Sequence, residues 1–328
     1  MRSKFVFTAI LVFSATACWT MEAQTASVGG APALGYIFDT SVGAFRRIFG
    51  IPRAASVGEP FESGFSMQSA IVLGGSSTAL AMSREGAAAV IDLSGQRPPA
   101  LVPIVGKARA LYSSPRGTAA AVLTEDWAGL LTGMNSGNLQ VAGLVLNAQP
   151  IAASVSDDGL YLMAALQDGS ILMAGRDGSR NPIAPPAPVS QVVFRPGGAD
   201  ALATTADSRV WLIQSGVLTQ IAGPEDGVLQ PVGLGFLPDG NRAVVASSNG
   251  VVLTVDVRSG VKSSASCLCK ATQLEPMTAP GVFRLTEALG QPQYMFDGSS
   301  LQTFFVPAAA SRGIREARPR EPGRGPEE

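Results

Sequence analysis

Apolar and polar positions along this chain alternate in short bursts of four to seven residues, each closed by a Gly-, Asp-, Asn- or Pro-containing turn. Such bursts have strand length and strand period, and helical periodicity is hard to find after the N-terminus. The clearest stretch runs from Pro231 to Cys267. Val232 to Phe236 reads as a strand, Leu237-Pro238-Asp239-Gly240 as a turn with Pro and Gly where turns demand them, and Arg242 to Ala246 as a second strand. Ser247 to Gly250 turns the chain into a third strand, Val251 to Val257, and Arg258-Ser259-Gly260 into a weaker fourth.

The first turn of that unit recurs as Ser114-Pro115-Arg116-Gly117, Ser156-Asp157-Asp158-Gly159 and Arg195-Pro196-Gly197-Gly198, at about forty-residue spacing. A second set of markers keeps a similar period: Asp39 to Gly43, Asp92 to Gly95, Asn135 to Gly137, Asp177-Gly178, Gln214 to Gly216, Asp256 to Gly260 and Asp297-Gly298. Four short strands per period is the pattern of propeller blades. The fold class expected is all-β: a β-propeller of four-stranded antiparallel blades, seven-bladed, with six blades as the alternative. Full units begin at Ser69. The N-terminal unit shows only two strands, Leu34 to Asp39 and Ala44 to Phe49, and a loop from Gly50 to Gly64. It is expected to close the ring, either as a reduced seventh blade or against the segment Tyr294 to Val306. Closure matters because an open ring exposes two unpaired edges.

Residues 34–307 therefore form the propeller. Ahead of them, Arg2 and Lys4, the apolar run Phe5 to Phe13 and Ala15-Thr16-Ala17 make a signal peptide over residues 1–17, followed by a flexible leader over 18–33. The mature protein is expected outside the cytoplasm, periplasmic or extracellular. Cys18 directly follows the cleavage site, so a lipid anchor there is the alternative and the one route to a membrane. Residues 308–328 mix Arg, Glu, Pro and Gly and read as a disordered tail.

Several motifs resemble bacterial WD40-like and YVTN-type propellers. Phe236-Leu237-Pro238-Asp239-Gly240 is similar to their strand–turn element. Val210 to Gly216, Val90 to Gly95 and Val255 to Gly260 are similar to their third-strand ending. The resemblance spans roughly Leu34 to Pro307 and implies fold, because propellers host unrelated functions.

Composition narrows the chemistry. The chain has no histidine, which excludes Ser–His–Asp and Cys–His catalysis. Its 24 basic residues balance 25 acidic ones without a basic stripe, so no nucleic-acid partner is expected. Fold analogy puts ligands where second-to-third-strand turns converge. Those turns carry Arg84, Glu125, Asp126, Trp127, Asp168, Asp207, Arg209 and Asn249 as candidate ligand-binding residues. No cofactor is required, although carboxylates around a channel suit Ca2+, and Trp127, placed in a long turn, suits stacking on a sugar. Polar turns also arise for backbone reasons alone. Asp92 and Asp256 are expected to accept hydrogen bonds from their own turns, and Asp157, Asp158 and Asp239 to be structural. Cys267 and Cys269, two apart on a strand, share one face and are placed for a local disulfide.

The function expected is an exported, non-catalytic, monomeric module that binds a protein or a glycan. The alternative, implied by YVTN-type relatives, is a lactonase-like hydrolase with Glu125, Asp168 and Asp207 around a divalent cation. Such relatives lean on histidine or arginine, and this chain offers Arg84 and Arg209. With a lipidated Cys18, the resemblance extends to outer-membrane assembly propellers.

Overall fold

The computed structural model describes residues 32–308; the signal peptide, Cys18 and nearly all of the expected tail lie outside them. Seven antiparallel sheets follow one another along the chain, six of four strands and the first of three. We number them blades 1 to 7. Blade 1 holds Ala33–Asp39, Ala44–Ile51 and Ala54–Phe61. Blades 2 to 7 span residues 69–101, 110–145, 150–183, 189–222, 231–266 and 275–306. Within blades 2 to 7, strands pair in sequence order, the first innermost.

Seven apolar clusters hold these sheets together, and each is shared by two neighbours. They join blades 3 and 4, 2 and 3, 4 and 5, 5 and 6, 6 and 7, 7 and 1, and 1 and 2, so the set closes on itself. The composition now has a reason. A middle strand such as Ala119–Leu123 is covered on both faces and is buried along its whole length. It therefore reads as a continuous apolar run, and its alanines let adjacent sheets approach closely. At Gly233 the approach is closer still: a Cβ there would overlap the Cβ and backbone nitrogen of Leu274, the residue just ahead of the next blade.

The N-terminal unit is a reduced blade and departs from the expected detail in three ways. Residues 50–64, expected as a loop, include the strand Ala54–Phe61. The ring closes by packing of this sheet against blade 7, through Leu34, Ile37 and Ile48 on one side and Met277, Met295 and Phe304 on the other. Finally, its missing strand is the innermost one. Ala33–Asp39 begins beside the first turn of blade 7, where Ala279 N–H donates to Leu34 O at 2.8 Å. It ends with Gly43 packed near Met67 O, ahead of blade 2. That direction is the direction of a second strand. The marker Asp39 to Gly43 consequently sits on the upper face, with the inter-blade connections. The other six markers are third-to-fourth-strand turns on the lower face, where several donate to first-to-second-strand turns, as Arg176 N does to Leu160 O at 2.8 Å and Val257 N to Asn241 O at 2.9 Å.

The structural readings of the turn aspartates agree with the structure. Asp92 Oδ1 accepts from Ser94 N at 3.0 Å, and Asp256 Oδ1 from Arg258 N at 3.0 Å and Ser259 N at 2.8 Å. Asp157 does more. Its carboxylate accepts from Arg116 N of blade 3 at 2.8 Å and Gly197 N of blade 5 at 2.7 Å, so one half-buried side chain ties three consecutive lower turns. Arg195 ties blades 5 and 6 through Gly240 O at 2.7 Å and Asn241 Oδ1 at 3.1 Å.

Two expected outcomes follow from this packing. Because the ring is closed, Ile48→Ala at the seam and Leu80→Ala between blades 2 and 3, both fully buried, should each cost about 2–5 kcal/mol in urea unfolding. An open stack would tolerate the seam change far better. Asp157→Ala should cost about 2–4 kcal/mol by the same assay, since it removes two hydrogen bonds to a charged acceptor that link separate blades. Asp158→Ala should cost clearly less, because Asp158 bonds only within its own turn, to Ser156 and Leu160.

Candidate functional site

The expected upper-face residues are held within their own blades. Glu125 pairs with Arg109 at 3.0 Å in an exposed contact. Asp168 accepts from Ser170 Oγ at 2.7 Å and Ser170 N at 2.9 Å, and these bonds hold its carboxyl below the usual carboxylate range. Asp207 sits in a chain of contacts running from Trp211 Nε1 to Thr205 Oγ1, then to Asp207 Oδ1, with Arg209 at 3.4 Å. Asn249 accepts from Val251 N at 3.2 Å. Arg84 is exposed, and the backbone carbonyl of Asp126 accepts from Leu146 N at 2.8 Å. Among the described residues no three His, Cys, Asp or Glu side chains gather in a way that could hold a metal ion.

Trp127 is the first residue of the strand Trp127–Thr132 and does not lie in a long turn. Its indole lies over Gly129 and Gly143, which pair directly across two strands; a Cβ on Gly143 would stand 2.5 Å from Nε1. The ring therefore fills a platform on its own sheet. The paired glycines were the sequence signal for this, and they carry meaning only once the register is known.

Two adjoining cavities lie elsewhere, along the inner strands of the ring. An axial channel of about 550 Å3 is lined by the inner strands of blades 2 to 7 and by Phe38 and Thr40 of blade 1, where an innermost strand is lacking. Its polar lining comes from Ser154, Gln191, Gln273, Glu275, Arg284 and Glu287. A second cavity of about 290 Å3 adjoins it on the lower side and shares Ser113, Val193, Leu234 and Pro276 with it. This lower cavity is apolar, walled by Phe236, Met277 and Phe283 and by Pro115, Pro196 and Pro238 from the recurrent first turns. Motif prolines expected to serve turn geometry alone thus also form its collar.

The charged centre of the channel is Arg284. It is almost fully buried, with Nε and Nη2 on Glu275 Oε2 at 2.7 and 2.6 Å. The Gln273 amide oxygen, turned toward the guanidinium, accepts from the same two nitrogens at 2.8 and 3.1 Å. Nη1 has no partner. A buried cation is costly unless paired, and a buried N–H left without an acceptor adds to that cost. Sequence reasoning missed this residue. Its signal was an arginine interrupting Val282-Phe283-Arg284-Leu285.

No protein-family model matches the chain, and no curated protein matches it. Solved structures do. Hsv2 of Kluyvelomyces marxianus is similar at 9% identity and TM-score 0.54, over 84% of this chain and 97% of that one. A KlHsv2 variant with loop 6CD replaced by a Gly-Ser linker is similar at 10% identity and TM-score 0.54, with the same shares covered. The β-propeller domain of Myceliophteria_thermophila Cps50 (Swd1) is similar at 15% identity and TM-score 0.50, over 62% and 72%. This chain has a WD40-like β-propeller fold. At such identities the likeness concerns architecture alone.

Acid should weaken two turns, the one at Asp39 on the upper face and the one at Asp297 on the lower face. Burial pushes the Asp39 carboxyl up, but hydrogen bonds from Ser41 and from Arg46, whose Nε lies 2.7 Å from Oδ2, outweigh it and hold the group below the usual range. Asp297 is held down likewise by Ser299 and Ser300 against its burial. A folded-state pKa below the unfolded value gives stability that is full above about pH 4 and is lost as pH falls through the folded pKa. Thermal unfolding should show this decline. Asp39→Asn should be less stable at neutral pH and should lose less on acidification.

Proposed function

We propose that this protein is an exported, non-catalytic, monomeric propeller that acts as a scaffold by seating an extended segment of a partner protein in its axial channel. The observation that carries the reading is the two-part channel. Its upper part is lined by polar side chains, Gln191, Gln273 and Glu275 among them, that suit backbone amides and carbonyls, and its apolar lower part fits one hydrophobic side chain. A glycan has no obvious counterpart for the apolar collar and ranks second. The hydrolase alternative needs Glu125, Asp168 and Asp207 around one cation. Asp168 and Asp207 are engaged in their own turns and Glu125 with Arg109, so geometry lends that alternative no support.

Export is supported by the N-terminal pattern of positive flank, apolar core and small-residue site. The bonded pair Cys267–Cys269 supports it too, since disulfides persist in oxidising compartments. Among the described residues no helix is long and apolar enough to cross a membrane. Membrane attachment would come through Cys18.

Ser113 lines both cavities, so Ser113→Trp should obstruct the channel without disturbing inter-blade packing. On arrays of extended peptides and of glycans, the wild-type protein should select peptides bearing one large apolar residue. The variant should bind them at least about tenfold more weakly at unchanged melting temperature. Selection of glycans alone, or equal peptide binding by both proteins, would overturn the proposal.

A further inference from the structure

On the upper face, in the connection between blades 6 and 7, Cys267 and Cys269 are joined by a disulfide with a single residue between them. They do not lie within a strand; Lys262–Ser266 ends just before them. A bond across so short a stretch constrains the unfolded chain very little. Nor does the connection need it for anchorage. Cys267 N–H donates to Gly250 O at 2.9 Å, and Ala271 and Leu274 are buried with Cys267 in the cluster between blades 6 and 7. The connection lies directly on Gly250, at φ +84°, where a Cβ would stand 2.9 Å from Cys267 O. The bond is thus superfluous as a staple.

Its surroundings are those of a reactive group. Cys267 is buried, Cys269 is half-buried, and Leu268 between them is 98% exposed. Lys270, next in the chain, is exposed as well. Disulfides that solvent can reach are the labile ones, and the side that solvent reaches here is Cys269 with Leu268.

We propose that Cys267–Cys269 is a thiol–disulfide exchange site that accepts two electrons from a dithiol on another protein, with Leu268 as the apolar contact for that substrate. A thiolate of the dithiol attacks Cys269 Sγ, the sulfur of the less buried residue. The new S–S bond forms as the Cys267–Cys269 bond breaks, and Cys267 Sγ leaves as a thiolate. It then takes a proton and can donate to Cys269 O, 3.5 Å away. The second thiolate of the substrate attacks its own sulfur in the mixed disulfide and releases Cys269 as a thiolate. The substrate leaves as a disulfide and the protein holds the dithiol. This inference is independent of ligand binding in the channel.

The test equilibrates the full chain with graded mixtures of reduced and oxidised glutathione, then alkylates and maps the peptide carrying Cys267 and Cys269, so that Cys18 is not counted. The expected result is that dithiol and disulfide coexist across these mixtures with unchanged circular dichroism and melting temperature. Resistance to millimolar glutathione until denaturant is added, or unfolding on reduction, would make the bond a staple and overturn the proposal. A second arm compares Cys267→Ser, which leaves Cys269 free, with Cys269→Ser. Mixed-disulfide formation with oxidised glutathione should be about tenfold faster in Cys267→Ser. Equal rates would overturn the assignment of Cys269 as the attacked sulfur.

Discussion

Each sheet of this protein is greasy on both faces, and neither face can be satisfied within the sheet itself. Leu80 of blade 2 needs Val122 of blade 3, Leu130 of blade 3 needs Val155 of blade 4, and the series returns to its start through Ile48 and Met295. The stacking of neighbours supplies the apolar burial that a single four-stranded sheet lacks. Closure then removes the two faces that a linear stack would leave in water. Small side chains in the middle strands keep the sheets close, and polar ties such as Asp157 and Arg195 set the angle between blades from below.

The reduced first blade shows what this constraint permits. Outer strands matter for stacking, because they carry Ile37, Phe45 and Ile48 against both neighbours. The innermost strand matters less, and here it is missing. Its place is partly taken by the lower turns of blades 7 and 2, which reach each other across blade 1, with Thr278 Oγ1 donating to Ser76 O at 3.2 Å. On the channel side, Phe38 and Thr40 stand where an inner strand would otherwise wall the axis. A strand dispensable for the ring is thus the one whose loss widens the channel.

The blades were legible because their signals are local. Gly at a turn and an apolar run of strand length mean the same thing in every copy, and the copies reinforce one another. The strand Ala54–Phe61 was harder to see: it contains Gly58 and Pro60, is only partly buried, and is paired on one side only. The direction of the first strand was invisible, since a second strand and a first strand have the same pattern. For the same reason Asp39 to Gly43 matched the other markers in residue type while belonging to the opposite face. The disulfide was foreseeable from spacing, and its position in a connection was not.

The candidate site divides along a physical line. Polar residues in upper turns satisfy the backbone around them, as Asp168 and Asn249 do, and a short polar side chain already bonded to its own turn has little left for a ligand. Arg284 is different because no turn requires it. It sits in a strand, in an apolar cluster's neighbourhood, at a cost that Glu275 and Gln273 offset only in part, since Nη1 stays open. Residues kept against their folding preference are better guides to function than residues that fit their local structure. By that measure the axis of this ring, and the sulfur pair that caps the approach to blade 7, carry more information than the polar rim between them.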